Sequence, residues 1–214
     1  KPGKRIVNVE RDDDVLTPEE VKLHDDEVKA AMLKELITWA KHKCFSRRSR
    51  LNARNVIDCR WVLKWKWEEE TLSIANSASG QVAKKRRVIR ARLTVRGFKD
   101  VDKGHVATYA GTSQRYSQRI IVSEAVLRGW DLATTDISKA FLQGVTYQEL
   151  SELTGERMRE VNFTLPAFNI PQLQQVEGFS DFSPNTEVLH CDKQGTGSVD
   201  APRCFSLKLA KVTE

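Results

Sequence analysis

Residues 56–69, VIDCRWVLKWKWEE, alternate between two kinds of side chain. One parity is apolar or thiol-bearing and comprises Ile57, Cys59, Trp61, Leu63, Trp65 and Trp67. The other parity carries the cations Arg60, Lys64 and Lys66, with Val62 among them. Because successive side chains of a strand point to opposite faces, this period of two predicts a β-strand with one cationic face. The tryptophans suit either a core or stacking on nucleic-acid bases, and a core is the commoner use of such a stripe.

Residues 84–98, KKRRVIRARLTVRGF, repeat the alternation. Arg90, Arg92, Thr94 and Arg96 share one parity, and Ile89, Ala91, Leu93 and Val95 share the other. The Ser/Gly/Asn-rich residues 71–81 between the two stretches are typical of a hairpin connection, so an antiparallel ribbon is predicted. A row of guanidinium groups suits a triphosphate or a nucleic-acid backbone, since each guanidinium can bind phosphate oxygens bidentately. The alternative is an exposed strand whose charges discourage edge pairing.

The charge distribution singles out the same region. Residues 41–99 carry 17 Lys/Arg against 4 Asp/Glu, whereas residues 1–40 carry 7 against 10 and residues 100–214 carry 11 against 15. A basic middle between acidic flanks indicates a polyanion-binding surface, although a plain solvated basic face would give the same counts.

Length and composition narrow the class of protein. The 214 residues, 40% of them hydrophobic, suffice for one domain with a core or for two small lobes. No run of 18 apolar residues occurs, so no membrane span is expected. The four cysteines form no Cys-x-x-Cys pair, and no apolar signal region opens the chain. We therefore expect reduced thiols and an intracellular protein, either cytoplasmic or nuclear. The missing initiator Met suggests a piece of a longer protein or an incomplete gene model.

The remaining patterns predict an α+β fold. Thr17-Pro18-Glu19-Glu20 is a helix start, and the helix is expected to run to about residue 43. A second helix is predicted over 114–128 with Gly129 as its stop, followed by a strand over 130–137 that ends near Asp136. Further predictions are loops at 46–55 and 97–114, a short helix within 145–166, an irregular stretch at 166–187, a strand at 187–193 and a helix start at 205–212.

Four blocks then occur in a familiar order. They are VIDCRWVLK at 56–64, RARLTVRGF at 90–98, DISKAFLQG at 136–144, and Gly197 followed by APR at 201–203. Together they resemble the reverse transcriptase domain of copia-type long-terminal-repeat retrotransposons. The corresponding family motifs occur in the same order along the chain: V-I-x-x-R-W-V-x-K-x-K, A-R-L-V-A-K-G-F, D-V-x-x-A-F-L-x-G and Y-G-L-K-Q-A-P-R-x-W.

The resemblance covers roughly residues 28–210. It implies the fingers and a partial palm of a right-hand polymerase: a flexible segment at 1–20, a fingers-like region at 21–128 and a partial palm-like region at 129–214. It also implies an RNA-directed DNA polymerase. The expected partners are an RNA template, a DNA primer and deoxynucleoside triphosphates, and no membrane.

The resemblance also assigns residues to roles. Asp136 would be the catalytic residue and a ligand of Mg²⁺, in a site where two ions about 3.5–4 Å apart stabilise the entering and leaving oxygens. Phe141 would lie under the sugar and exclude a 2′ hydroxyl; without the resemblance, a plain core aromatic would be favoured. The nucleotide-binding residues would be Lys84, Lys85, Arg90, Arg92, Phe141 and Gly197. The nucleic-acid-binding residues would be Lys64, Lys66 and Arg96.

The chain also departs from the family pattern. No Asp-Asp pair follows Asp136, where the family has a Tyr-x-Asp-Asp hairpin, and the sequence ends at Glu214 before such a hairpin. Thr196 replaces the family's aromatic residue, and residues 198–200 replace its Leu-Lys-Gln. These departures suggest a decayed or mispredicted copy, and we expect this chain alone to be inactive. A non-enzymatic nucleic-acid-binding remnant and a purely structural remnant are the alternatives.

Overall fold

The structure is a computed structural model that describes residues 14–71 and 83–213. The fold is α+β, as predicted, with a five-stranded mixed sheet and six α-helices in these ranges. The strands are β1 (Phe45–Ser49), β2 (Val56–Thr71), β3 (Ala83–Val95), β4 (Asn162–Thr164) and β5 (Glu187–Cys191). The helices are α1 (Pro18–Leu23), α2 (Asp25–Lys41), α3 (Arg115–Arg128), α4 (Tyr147–Thr154), α5 (Ile170–Leu173) and α6 (Ala201–Thr213).

The predicted antiparallel ribbon is formed by β2 and β3. Their register runs from Cys59 opposite Val95 to Thr71 opposite Ala83, so the two alternating patterns lie on matching faces. The predicted connection at 71–81 lies almost wholly outside the described residues.

The sheet order is β1-β5-β4-β2-β3, in which β4 runs parallel to β2 and the other neighbours are antiparallel. The strands β4 and β5 come from the region predicted to be palm-like, yet they pair with β1 and β2. The predicted boundary at residue 129 therefore does not separate two sheets. The strand β4 was not predicted, because its three residues are too few to show an alternating pattern.

The predicted loop at 46–55 is wrong in its first part, where β1 pairs with β5 from Phe45 opposite Cys191 to Ser49 opposite Glu187. The polar sequence SRRSR is stabilised as a strand by a partner that is distant in sequence. Arg47 of β1 donates to Glu187 at 2.9 Å and to Asp181 at 2.5 Å, so its charge is paired where β1 meets β5.

The prediction of a flexible segment at 1–20 is wrong for residues 14–20; residues 1–13 lie outside the described part. The Leu16 amide donates to the Leu63 carbonyl at 3.1 Å, and the Trp65 amide donates to the Asp14 carbonyl at 2.7 Å. Residues 14–16 thus run along an edge of β2. The predicted helix start at Thr17 is confirmed by a capping box with Glu20, but the helix breaks at His24 into α1 and α2.

The helix α2 packs against the apolar face of the ribbon and forms two clusters there. In the larger cluster Trp39 is fully buried against Phe45 and Phe163, with ring centroids 6.5 and 6.1 Å away. In the smaller cluster Val28 and Met32 pack near Trp61 and Trp65. The core interpretation of the tryptophan stripe is therefore confirmed for Trp61 and Trp65, which are partly buried against these clusters. It is wrong for Trp67, which is 61% exposed.

The predicted helix at 114–128 is confirmed as α3, which ends at Gly129 with φ +66°. Its apolar side chains are exposed, namely Ile120, Ile121, Val122, Val126 and Leu127. The predicted strand at 130–137 is wrong, because these residues form exposed, irregular backbone. A strand needs a partner for its amides and carbonyls, and no described strand lies beside this stretch.

Towards the end of the chain the sequence patterns were more informative. The short helix within 145–166 and the strand at 187–193 are confirmed as α4 and β5. The final helix is also present, but α6 begins at Ala201 rather than at residue 205, and the predicted irregular stretch at 166–187 is wrong where it contains α5. Among the described helices, none combines the length and apolar character that a membrane span requires.

Candidate functional site

A cavity of about 370 Å³ lies between the cationic face of the ribbon and residues 136–142. The ribbon contributes Lys66, Arg90 and Arg92 to its lining. The facing segment contributes residues 136–142, and further lining comes from Glu35 of α2 and from Thr196. The cavity thus unites residues from four separate parts of the chain.

Strand register concentrates the cations. Arg90 lies opposite Lys64, and Arg92 lies opposite Val62. Residues directly opposite on one face of an antiparallel pair have Cβ atoms about 4.5–5.5 Å apart, and alternate positions of one strand share that face. Arg90, Arg92 and Lys66 are exposed, so the ribbon presents dense positive charge to the cavity. Lys64 borders a smaller cavity of about 270 Å³ beside it, shared with Lys66, Arg90 and Arg92.

A buried ion pair fixes the facing segment to α2. The Lys139 Nζ donates to Glu35 Oε2, and the Trp39 Nε1 donates to Glu35 Oε1 at 3.2 Å. Glu35 is only 5% exposed, so Lys139 compensates a carboxylate that would otherwise be costly to bury. Lys139 itself has φ +56°, a conformation that turns the chain into the 3-10 helix of residues 140–143. No role was predicted for Glu35 or Lys139, since residues that pair across such a long sequence separation leave no local pattern.

The two predicted site residues in this segment lie at the cavity. Phe141 is 39% exposed and lines the cavity, whereas the next residue, Leu142, is in the core. Asp136 also lines it, from irregular backbone rather than from the predicted strand end.

The donor set around Asp136 does not fit a two-metal centre. The described residues contain no group of three or more His, Cys, Asp or Glu side chains able to hold a metal ion. Glu35, the other carboxylate of the cavity, already accepts from Lys139 and Trp39. Binding of Mg²⁺ at Asp136 therefore remains a prediction from the resemblance.

Arg96 lies outside the cavity. Its guanidinium pairs with Asp58 at 3.0 Å, and Lys99 pairs with the same carboxylate at 2.8 Å. The hydrogen bond from Lys99 and the charge of Arg96 lower the pKa of Asp58. These contacts hold together the end of the ribbon where β3 leaves the sheet.

Of the two predicted lysines near the start of β3, Lys85 is not among the residues that line the cavity. Lys85 is opposite Glu69 and has the parity of Ile89 and Ala91, so it belongs to the face opposite that of Arg90. The backbone of Lys84 lies opposite Glu70, and its side chain lies outside the described part.

Gly197 supports the cavity through packing. Its φ is +93°, and a Cβ atom there would lie 2.2 Å from the Val95 carbonyl oxygen. Its own carbonyl accepts from the Gly97 amide at 3.2 Å, and the Thr196 carbonyl accepts from the Val95 amide at 2.9 Å. Only a glycine fits this close crossing, which places Thr196 in the cavity lining. The predicted contact of Gly197 with a nucleotide remains a prediction.

Asp200 is not among the residues that line the cavity. It is fully buried and pairs with Arg159, which also pairs with Asp100. Burial raises the pKa of Asp200, against the opposing effect of Arg159. The departure from the family pattern at this position therefore belongs to an internal ion cluster rather than to the cationic surface.

Comparison with protein-family models, with curated proteins and with solved structures gave no match. The resemblance to reverse transcriptases therefore rests on the four sequence blocks.

Proposed function

We propose that this chain binds nucleic acid and deoxynucleoside triphosphates through the cationic cavity, as the fingers and part of the palm of a copia-type reverse transcriptase. One observation supports this most strongly. Lys66, Arg90, Arg92, Asp136 and Phe141, all chosen from sequence blocks that are far apart, line the same cavity.

The charge balance of the cavity favours a phosphate-bearing ligand. The pair of Lys139 with Glu35 is internally neutral, which leaves three ribbon cations against Asp136. Guanidinium groups bind phosphate oxygens bidentately, and phosphate contacts supply most of non-specific nucleic-acid affinity. Phe141 offers a partly exposed ring for contact with a sugar or base.

Replacement of both Arg90 and Arg92 by alanine is expected to weaken binding of a single-stranded RNA by about tenfold or more, since two phosphate contacts are lost. The slope of log affinity against log salt should become shallower by about 1.4, or 0.7 for each phosphate contact on a single strand. Fluorescence anisotropy with a labelled oligonucleotide over a salt series measures both quantities.

The matched control is the double variant Arg115→Ala/Arg119→Ala on α3. It removes the same number of exposed guanidinium groups from a surface away from the ribbon. An equal loss in both double variants would show that only net charge matters, and unchanged salt dependence in the ribbon variant would remove the cavity from the proposal.

The surroundings of Asp136 favour binding without catalysis as a second candidate function. We expect no Mg²⁺-dependent primer extension by this chain, because the described residues place no further carboxylate free to share a metal with Asp136. A primer-extension assay with a labelled template–primer tests this. Robust incorporation that Asp136→Asn abolishes would contradict it and establish the polymerase reaction.

A further inference from the structure

A second cavity, of about 670 Å³, shares no lining residue with the cationic cavity. It lies between residues 101–106, which follow the ribbon, and residues 156–160, which follow α4. Arg54 and Asn55, just before β2, complete the lining.

Hydrogen bonds hold the two walls of this cleft in place. The Asn55 side-chain amide donates to Asp100 Oδ1 at 3.0 Å and to the Glu160 carbonyl at 3.1 Å, and its Oδ1 accepts from the Val101 amide at 3.2 Å. Behind them, Arg159 joins Asp100 to Asp200. The cleft is therefore a built feature of the fold rather than a gap between loose loops.

The carboxylates of the cleft are largely neutralised by neighbours. Glu156 accepts hydrogen bonds from Nη1 and Nη2 of Arg203, each at 2.9 Å. Glu160 lies 3.5 Å from Arg48 and accepts from the Arg54 amide at 3.1 Å. Both carboxylates are therefore largely compensated and should repel an anionic ligand only weakly.

The cations of the cleft, in contrast, have unused donors. Within the described residues, the guanidinium groups of Arg54 and Arg157 have no ion-pair or hydrogen-bond partner, and the only unpaired carboxylate of the lining is Asp102. Arg159 also lines the cleft. Its side chain is 9% exposed, and its Nε is buried with no hydrogen-bond partner. That atom is itself inaccessible, so the donors open to a ligand are the exposed guanidinium groups of Arg54 and Arg157.

We propose that this cleft binds a small organic molecule that carries a phosphate or carboxylate group. Arg54 and Arg157 hold the oxyanion, and the apolar side chains of Val101, Val106 and Met158 contact the rest of the molecule. This site is independent of the proposed nucleic-acid surface, because no ribbon residue takes part.

Isothermal titration calorimetry with phenyl phosphate and with benzoate tests the proposal and separates the two kinds of oxyanion. Each probe combines one oxyanion with an apolar ring. We expect saturable binding of at least one of them with a Kd of about 1 mM or tighter. The double variant Arg54→Gln/Arg157→Gln should weaken that binding by about tenfold or more, since two charge-assisted contacts are lost. Thermal unfolding of the variant should be unchanged, because both side chains are exposed.

Two comparison variants make the result specific. Binding should be retained in Arg90→Gln/Arg92→Gln and in Arg115→Gln/Arg119→Gln. Loss of binding in the Arg90/Arg92 variant alone would place the oxyanion in the ribbon cavity and overturn this proposal while supporting the other. Lack of saturable binding of both probes to the unaltered chain would overturn it without touching the nucleic-acid proposal.

Discussion

Gly197→Ala is expected to lower the free energy of unfolding by about 3–5 kcal/mol, because it combines left-handed backbone strain with a steric clash. The added Cβ would lie 2.2 Å from the Val95 carbonyl oxygen and 2.6 Å from Thr94 Cγ2. The first of these is backbone within β3 and cannot move without disturbing the ribbon. Because Thr196 lines the cationic cavity, movement of residues 196–197 to relieve the clash should also weaken the proposed binding of nucleic acid.

Chemical denaturation followed by far-UV circular dichroism measures the loss of stability. Gly155→Ala is the matched control, because Gly155 has φ +70° but no atom within 4 Å of a built Cβ. Strain alone should cost the control about 1–2 kcal/mol. Equal losses in the two variants would mean that the contact between residue 197 and β3 is not as close as the structure has it.

Arg159→Met is expected to lower the free energy of unfolding by about 3–5 kcal/mol, because removal of one partner leaves buried carboxylates without a compensating charge. The side chains of Asp100 and Asp200 are 5% and 0% exposed, and both pair with Arg159. Methionine fills a similar space, so loss of charge rather than a cavity should dominate.

The effect of Arg159→Met should depend on pH. Burial already raises the pKa of Asp200, and loss of Arg159 removes the interaction that opposes this rise. The folded variant then binds a proton more tightly than the unfolded chain does. Its stability should therefore recover as the pH falls through the raised pKa and decrease as the pH rises through it.

Denaturation of Arg159→Met at several pH values, compared with Arg47→Met, checks this prediction. Arg47 also pairs with two carboxylates, Asp181 and Glu187, but these are 78% and 20% exposed. Water can solvate them after the substitution, so the control should lose only about 1 kcal/mol. A loss in Arg159→Met as small as that, with no recovery at acid pH, would contradict the account of a buried ion cluster.

The elements that sequence analysis predicted are those whose side chains repeat over many residues. The alternation in 56–69 and 84–98 was long enough to predict both strands of the ribbon, their pairing and the face that carries the cations. The helix α3 was likewise predicted by its composition and by Gly129. In contrast, β1 and β4 are too short to show a repeat. The sequence SRRS of β1 is as typical of a polar loop as of a strand, and only its pairing with β5 makes it a strand.

The candidate site was predicted in part. Lys66, Arg90, Arg92, Asp136 and Phe141 were chosen from sequence and lie around one cavity, whereas Lys85 and Arg96 do not. Lys85 differs because strand parity turns it to the other face. Arg96 differs because it forms an ion pair with Asp58 of β2. That contact arises only when β2 and β3 pair, so it could not be predicted from the local sequence around Arg96.

The amino-acid sequence by itself thus determined the ribbon and its positive face, since the alternation of side chains is a local property of each strand. The tertiary structure alone decided that Glu35 and Lys139 would close residues 136–142 over that face, and that Asp136 would lie on irregular backbone. It also decided that Arg159 would gather Asp100 and Asp200 in the interior. These ion pairs depend on which residues, distant in sequence, the fold buries together. A charge that is buried away from water without a partner is costly, so the pairing is decided by the tertiary structure.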